Sequence, residues 1–332
     1  MAGHVPVFSR ADRSGQGLRF KTMLPFAMLC KSYSGDFEYA KRMVKSFNEF
    51  NTDESTLFIV VPALDLDLFE SLDGAQVEVL SERLLAHYLV DHDVHGIRPG
   101  YINQEIIKLS FWELELAENY FCVDSDAEFI RRFSVTDFMF DPETPYSVLV
   151  QDLELKVEPE YYAQYWISRE SELQSIAEVV GLDSRVILTC HGHTVFSSRV
   201  LRSFVKDFLQ PRDWSYADAL EFSPYEFTWY NMWLQKSGTV GIHPREPWVK
   251  VFHTQSQHIE YLLRRIEVGD ITRGYLGTVV NSNYSRSLGL VDAQISPTEA
   301  FAKYLSFREV FSVLRVKLFA AIPLKFNRRK KI

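Results

Sequence analysis

Two aspartates one residue apart, Asp124 and Asp126, follow directly on the apolar run Tyr120-Phe121-Cys122-Val123. In extended backbone, side chains at i and i+2 share a face, so the two carboxylates point the same way. Such a pair repels unless a cation sits between its members, and an all-oxygen set suits a hard ion, Mg2+ or Mn2+. An ion of this kind keeps coordination positions open for substrate phosphates. Aspartates after a strand also form turns and cap helices, so the spacing alone leaves both roles open.

Other residue types with chemical potential are scattered along the chain. Gln104 and Lys108 stand one turn apart on a helical pattern just before the aspartate strand, where a lysine either contacts phosphate as a point charge or lies on a solvated helix face. Cys190-His191-Gly192-His193 brings two imidazoles near a thiol, but ligands so tightly spaced, without a second cluster, make a poor zinc site. In Ser223-Pro224-Tyr225-Glu226, serine at the N-cap, proline at N1 and glutamate at N3 satisfy a capping box. Trp229, Tyr230 and Trp233 follow, with faces that suit either a sugar cleft or a core.

The elements that must position these groups alternate between strand and helix patterns, which predicts an α/β fold with a mostly parallel sheet. Strands are expected at Leu24–Cys30, Leu57–Val61, Gln76–Leu80, the run into Asp124, Tyr146–Val150 and Arg185–Cys190. Helices are expected over residues 37–50, from about Ile102 to Glu118, and over roughly Tyr161 to Val180. Both the loop Lys31-Ser32-Tyr33-Ser34-Gly35-Asp36 and the aspartate pair then fall at the carboxyl ends of strands, where open parallel sheets bind ligands.

Composition bounds the function class. The 332 residues are 46% hydrophobic and 24% charged, which excludes a disordered chain and a multi-span membrane protein. Cys30, Cys122 and Cys190 each sit inside an apolar run, as buried reduced thiols of a cytoplasmic protein do. Residues 1–21 read as a flexible leader. Residues 303–332 carry nine Lys or Arg against a single acid, Glu309, in a chain with 36 basic and 44 acidic residues overall. The acidic body argues against nucleic acid as a partner. Residues 291–332 read as an amphipathic helix with a basic end, suited to lying on an anionic membrane surface or to packing on the body.

These segments together resemble the GT-A nucleotide-sugar glycosyltransferases, and within them a group of bacterial GT-A-like proteins. The resemblance covers most of residues 22–290. It implies a GT-A type fold, with a Rossmann-like central sheet flanked by helices as the catalytic domain over 22–290. It implies a nucleoside diphosphate sugar donor and a glycan or lipid-linked acceptor. By this likeness Asp124, Asp126 and His253, the last at the end of Trp248-Val249-Lys250-Val251-Phe252, hold Mn2+ or Mg2+. Lys31, Ser32, Tyr33, Gln104, Lys108, Ser125 and Arg286 then join the aspartates around the donor. His191, Gly192 and His193 form the glycine loop that, with Tyr225 and Trp229, shapes the acceptor side. Glu226 becomes the base that deprotonates an acceptor hydroxyl, giving inversion. Pro224 departs from the pattern, since relatives often carry an acid there. A metal-dependent phosphoester hydrolase using Asp124 and a non-catalytic carbohydrate-binding protein are the rival readings. The expected location is cytoplasmic, peripheral at the inner membrane face if the tail binds lipid.

Overall fold

The computed structural model describes residues 23–151, 162–163, 166–183, 187–190, 192–253, 257, 271–281 and 311. The chain divides into two compact units, Met1–Lys250 with Gly274–Val279, and Val251–Arg273 with Val280–Ile332. The expected leader (1–21) lies outside the described residues, as does the basic tail apart from Phe311.

The first unit is built on strands whose side chains are apolar on both faces, as in sheets covered by helices. Leu24–Lys31 (β1) is buried over its last six residues, and Thr56–Val61 (β2) and Val77–Ser81 (β3) are buried throughout. Between them run Phe37–Phe50 (α1) and the single turn Leu66–Phe69 (α2). Pro99–Ser110 (α3), with proline in its first turn, leads to Ala117–Cys122 (β4), parallel to β1. Short strands follow at Ala127–Phe129 (β5) and Tyr146–Ser147 (β6). Glu170–Val180 (α4) ends on Gly181 in the left-handed region, the usual helix stop. Val195–Ser197 (β7) then joins the sheet antiparallel to β4, giving the order β3-β2-β1-β4-β7. Strand order reverses between β1 and β4, so the crevice at their carboxyl ends is the topological switch point.

Helices Ser198–Ser203 (α5), Tyr216–Phe222 (α6) and Glu226–Ser237 (α7) complete the cover. The Ser197 N–H donates to the Tyr230 hydroxyl (2.9 Å), which ties α7 to β7. A pair at Tyr146–Ser147 and His243–Pro244 (β8) runs parallel. Val249–Phe252 (β9) and Gly277–Val280 (β10) form a three-stranded sheet with β5 in the order β5-β10-β9. A Cβ on Gly277 would meet the Glu128 carbonyl oxygen at 2.8 Å, so this close approach of β10 to β5 requires glycine.

Several expected boundaries move, each for a local reason. The helix expected to reach Glu118 stops at Ser110, continues as a 3-10 turn over Phe111–Leu114, and reverses at Glu115, whose φ of 52° is left-handed. Glu118 is therefore a strand residue. No glycine marks that reversal. Within the helix expected from Tyr161, residues 162–163 are helical, and after a 3-10 turn over Ile167–Arg169 the chain is helical again over Glu170–Val180. Of the expected strand Arg185–Cys190, residues 184–186 lie outside the described residues, and Thr189 makes only an isolated bridge with Val150. The expected strand Tyr146–Val150 shortens to two residues.

The core beside the aspartate strand is aromatic. Phe138, fully buried, stacks on Phe26 (5.1 Å between centroids) and Trp248 (5.5 Å), and also meets Phe121 and Phe133. Such rings contribute area burial and edge–face attraction together. Phe138→Ala is expected to destabilise the protein by about 3–5 kcal/mol, the usual cost of emptying a buried aromatic site, as measured by chemical denaturation. A loss below ~1 kcal/mol would show that this cluster does not organise the core.

Candidate functional site

The site grows from one buried cation. Lys108 lies in the last turn of α3, where the Tyr120 hydroxyl of β4 donates to its carbonyl (2.8 Å) and fixes that turn on the sheet. Its side chain is only 5% exposed, and its ammonium sits 3.0 Å from Glu226 Oε1 and 3.3 Å from Asp124 Oδ1. The Phe227 ring flanks the same ammonium at 4.7 Å. Lys108 is thus neither on a solvated helix face nor reaching outward for phosphate. It bridges the motif aspartate and the candidate base. Removal from water opposes its charge, but Asp124 and Glu226 outweigh that and push its pKa well above the ordinary lysine value.

Asp124 leaves β4 at the switch point with its side chain about a third exposed (35%). Lys108 faces one carboxylate oxygen, and His193 Nε2 stands 3.6 Å from the other. Burial raises the carboxyl pKa, yet Lys108 and then His193 overcome it and hold Asp124 below the usual range. Burial pulls the pKa of the His193 imidazole down; Asp124 opposes this and Lys108 adds to it. His193 has a φ of 53°, an uncommon backbone for a non-glycine residue and one that clusters at functional sites. The hydrogen bond from Cys122 N–H to the Thr194 carbonyl (2.9 Å) anchors the loop against β4.

Glu226 opens α7, with Tyr225 rather than Ser223 at the N-cap, so the capping box expected from Ser223 is not formed. Ser223 instead ends α6, and its buried hydroxyl has no hydrogen-bond partner. Its carbonyl accepts from Trp229 Nε1 (2.9 Å). Trp229 is fully buried among Phe204, Phe208, Trp214 and Phe222, so it supports the start of α7 from within the core and offers no face to an acceptor. Tyr225 is half-buried, with the Arg169 guanidinium 5.0 Å from its ring centre.

The other expected residues divide. Ser32, at the carboxyl end of β1, is buried with an unpartnered hydroxyl, and half-buried Tyr33 lies across Gly35, where a Cβ would collide with the ring. Lys31 is the last residue of β1, and its ammonium is committed to Glu82 (3.1 Å) and the Ser32 carbonyl (3.0 Å). Burial lowers its pKa against the pull of Glu82. Ser125 is buried, and Asp126, Gln104 and Gly192 are half-buried. His253 belongs to the second unit, where its N–H donates to Gln257 Oε1 (2.7 Å). His191 and Arg286 lie outside the described residues. Among the described residues no group of three or more His, Cys, Asp or Glu side chains is disposed to hold a metal ion.

One member escaped the sequence reading. Glu105 lies one turn before Lys108 on α3 and is 2% exposed, and neither carboxylate oxygen meets a donor in hydrogen-bonding geometry. Its signal was an acid on the apolar side of the helical pattern, three residues from the lysine.

No curated protein matches this sequence. Among solved structures, the fold is similar to WbbM, a bifunctional glycosyltransferase in apo form, with a TM-score of 0.45, 11% identity, and cover of 89% of this chain and 52% of that one. The chain thus spans about half the length of WbbM. Mouse xyloside xylosyltransferase 1, also apo, gives a TM-score of 0.40 at 10% identity, over 78% of this chain and 98% of that one. Residues 19–260 match the family of unknown function DUF6492, and the chain belongs to that family.

Proposed function

We propose that this protein is a metal-dependent glycosyltransferase of GT-A type, moving a sugar from a nucleoside diphosphate sugar to a glycan or lipid-linked acceptor. The observation that carries this reading is the Lys108 bridge. It gathers Asp124 from β4 and Glu226 from α7 at the switch point of a mostly parallel sheet, where such folds bind nucleotides. Residues chosen from separate sequence segments for donor and acceptor chemistry share one cation.

The donor groups fit a hard cation. Asp124 and Asp126 present carboxylates that are not fully buried, and an Mg2+-like ion needs only one or two protein carboxylates when substrate phosphates supply the rest. Asp124 and Asp126 would hold the ion. When bound, it supplies positive charge to the diphosphate leaving group. The chain's own residues do the remainder. Glu226 accepts the proton of the attacking hydroxyl, whose oxygen forms the new bond to the anomeric carbon as the bond to the diphosphate breaks. Lys108 keeps Glu226 and Asp124 in register through the step. Ser32 and Tyr33, which follow β1 at its carboxyl end, would line the donor side.

Among the described residues no helix is long and apolar enough to cross a membrane. We assign the basic segment 303–332 to contact with an anionic membrane surface, which would bring the site to a lipid-linked acceptor.

A panel of sugar nucleotides, assayed for nucleotide release with and without Mn2+, tests the reading directly. At least one donor is expected to turn over only with the metal, and Asp124→Ala and Asp126→Ala should each abolish Mn2+-dependent nucleotide binding in a folded protein. Unchanged metal and nucleotide affinity in both variants would remove the metal site. Glu226→Gln should retain donor binding and lose about 10²-fold or more in transfer, the range of general-base catalysis; near-normal transfer would leave Glu226 a structural partner of Lys108. Full-length protein should bind anionic liposomes at low salt and release them at high salt, and deletion of 303–332 should abolish binding. Indifference of the full chain to such liposomes sinks the membrane contact.

A further inference from the structure

The two oxygens of Asp124 keep different company. Lys108 Nζ lies 3.3 Å from Oδ1, and His193 Nε2 stands 3.6 Å from Oδ2. An ion on the Oδ1 side would meet the ammonium at close range, so repulsion between like charges leaves Oδ2 as the oxygen for it. The imidazole beside Oδ2 is itself unsatisfied. His193 is 6% exposed, and its buried Nε2 has no hydrogen-bond partner among the described residues. A buried polar atom of that kind calls for an explanation, a bound ion among them.

The spacing fits an ion. At 3.6 Å the ring nitrogen is too far from Asp124 for a hydrogen bond. Two atoms bound to one ion at about 2.1 Å, with an angle of roughly 90° to 120° between the bonds, stand about 3.0 to 3.6 Å apart. The backbone is strained to put the ring there: His193 has a φ of 53°, and the bond from Cys122 N–H to the Thr194 carbonyl (2.9 Å) holds its loop on β4.

Building on the metal-dependent reading, we propose that His193 Nε2 binds the divalent ion together with Asp124 Oδ2, which moves His193 from the acceptor wall to the metal. Substrate phosphates and water fill the remaining positions, so the pair needs no third His, Cys, Asp or Glu already in place. Lys108 holds Oδ1 and so keeps the carboxylate turned with Oδ2 toward the imidazole. A nitrogen ligand also gives the site a choice of ion. Imidazole suits transition metals, whereas Mg2+ keeps to oxygen, so His193 tilts the site toward Mn2+.

The test reads the ligands of the ion and needs no turnover. Protein with isotope-labelled histidine is loaded with Mn2+, alone and with UDP, GDP or ADP, and nitrogen coupling to Mn2+ is measured by electron spin echo spectroscopy. Wild type should show coupling to an imidazole nitrogen. His193→Asn, chosen because asparagine tolerates a positive φ, should lose it, whereas His191→Gln and His253→Gln should keep it. The same His193 variant should bind Mn2+ about tenfold or more weakly, at least the cost of losing a partner outside the ligand shell, with a smaller change for Mg2+. If His193→Asn does not fold, the wild type and the other two variants decide the matter. Mn2+ held through Asp124 with no nitrogen coupling overturns the His193 assignment alone. So does coupling that survives in His193→Asn or vanishes in His191→Gln or His253→Gln. Mn2+ binding that is absent, or indifferent to Asp124→Ala, removes the metal-dependent reading and this ligand with it.

Discussion

A single ammonium withdrawn from water constrains the rest of this molecule. Burying one lysine is tolerable only with carboxylates in contact, and removing either partner from such an arrangement leaves an uncompensated charge. Lys108 meets that condition with two acids from distant parts of the chain, Asp124 and Glu226. Each must arrive at a set distance. The Tyr120 hydroxyl on the Lys108 carbonyl sets the helix against the sheet, and the indole of Trp229 sets the loop from which α7 begins. Much of the polar bonding in this region serves to bring three charges together.

Electrostatic selection explains why the cluster is sharp. A lysine with only one acid at hand would be a poor candidate for burial, and two acids without the lysine would repel. His193 Nε2 stands 3.6 Å from the outer oxygen of Asp124. The aspartate side chain remains about a third exposed.

What the sequence made legible followed from strong periodicity. β1, α1, β2 and β3 lie within a residue or so of where the apolar patterns placed them, because fully buried strands and a one-sided helix leave clear records. The placement of the Lys31–Tyr33 loop and the aspartate pair at strand ends followed from those elements. Three things were not legible. Glu115 and His193 turn the chain through left-handed conformations without glycine, and no glycine signals that α3 ends at Ser110, short of Glu118. β7 is three residues long, too short for any period to show. Partnership between Lys108 and Glu226 joins residues 118 positions apart, and no local pattern encodes it. Trp229 illustrates the converse: an aromatic beside a candidate catalytic residue looked like a binding face and proved to be the core that holds that residue in place.

The edge made by β7 has one more consequence. A terminal strand normally offers its outer amide groups to any extended chain that drifts past, which is how sheets recruit unwanted neighbours. Here the Ser197 amide already donates to the Tyr230 hydroxyl on α7. The side chain that docks the helix also stoppers the sheet, so crowding many copies of this protein together finds no open rung at that position on which a foreign strand could begin to stack.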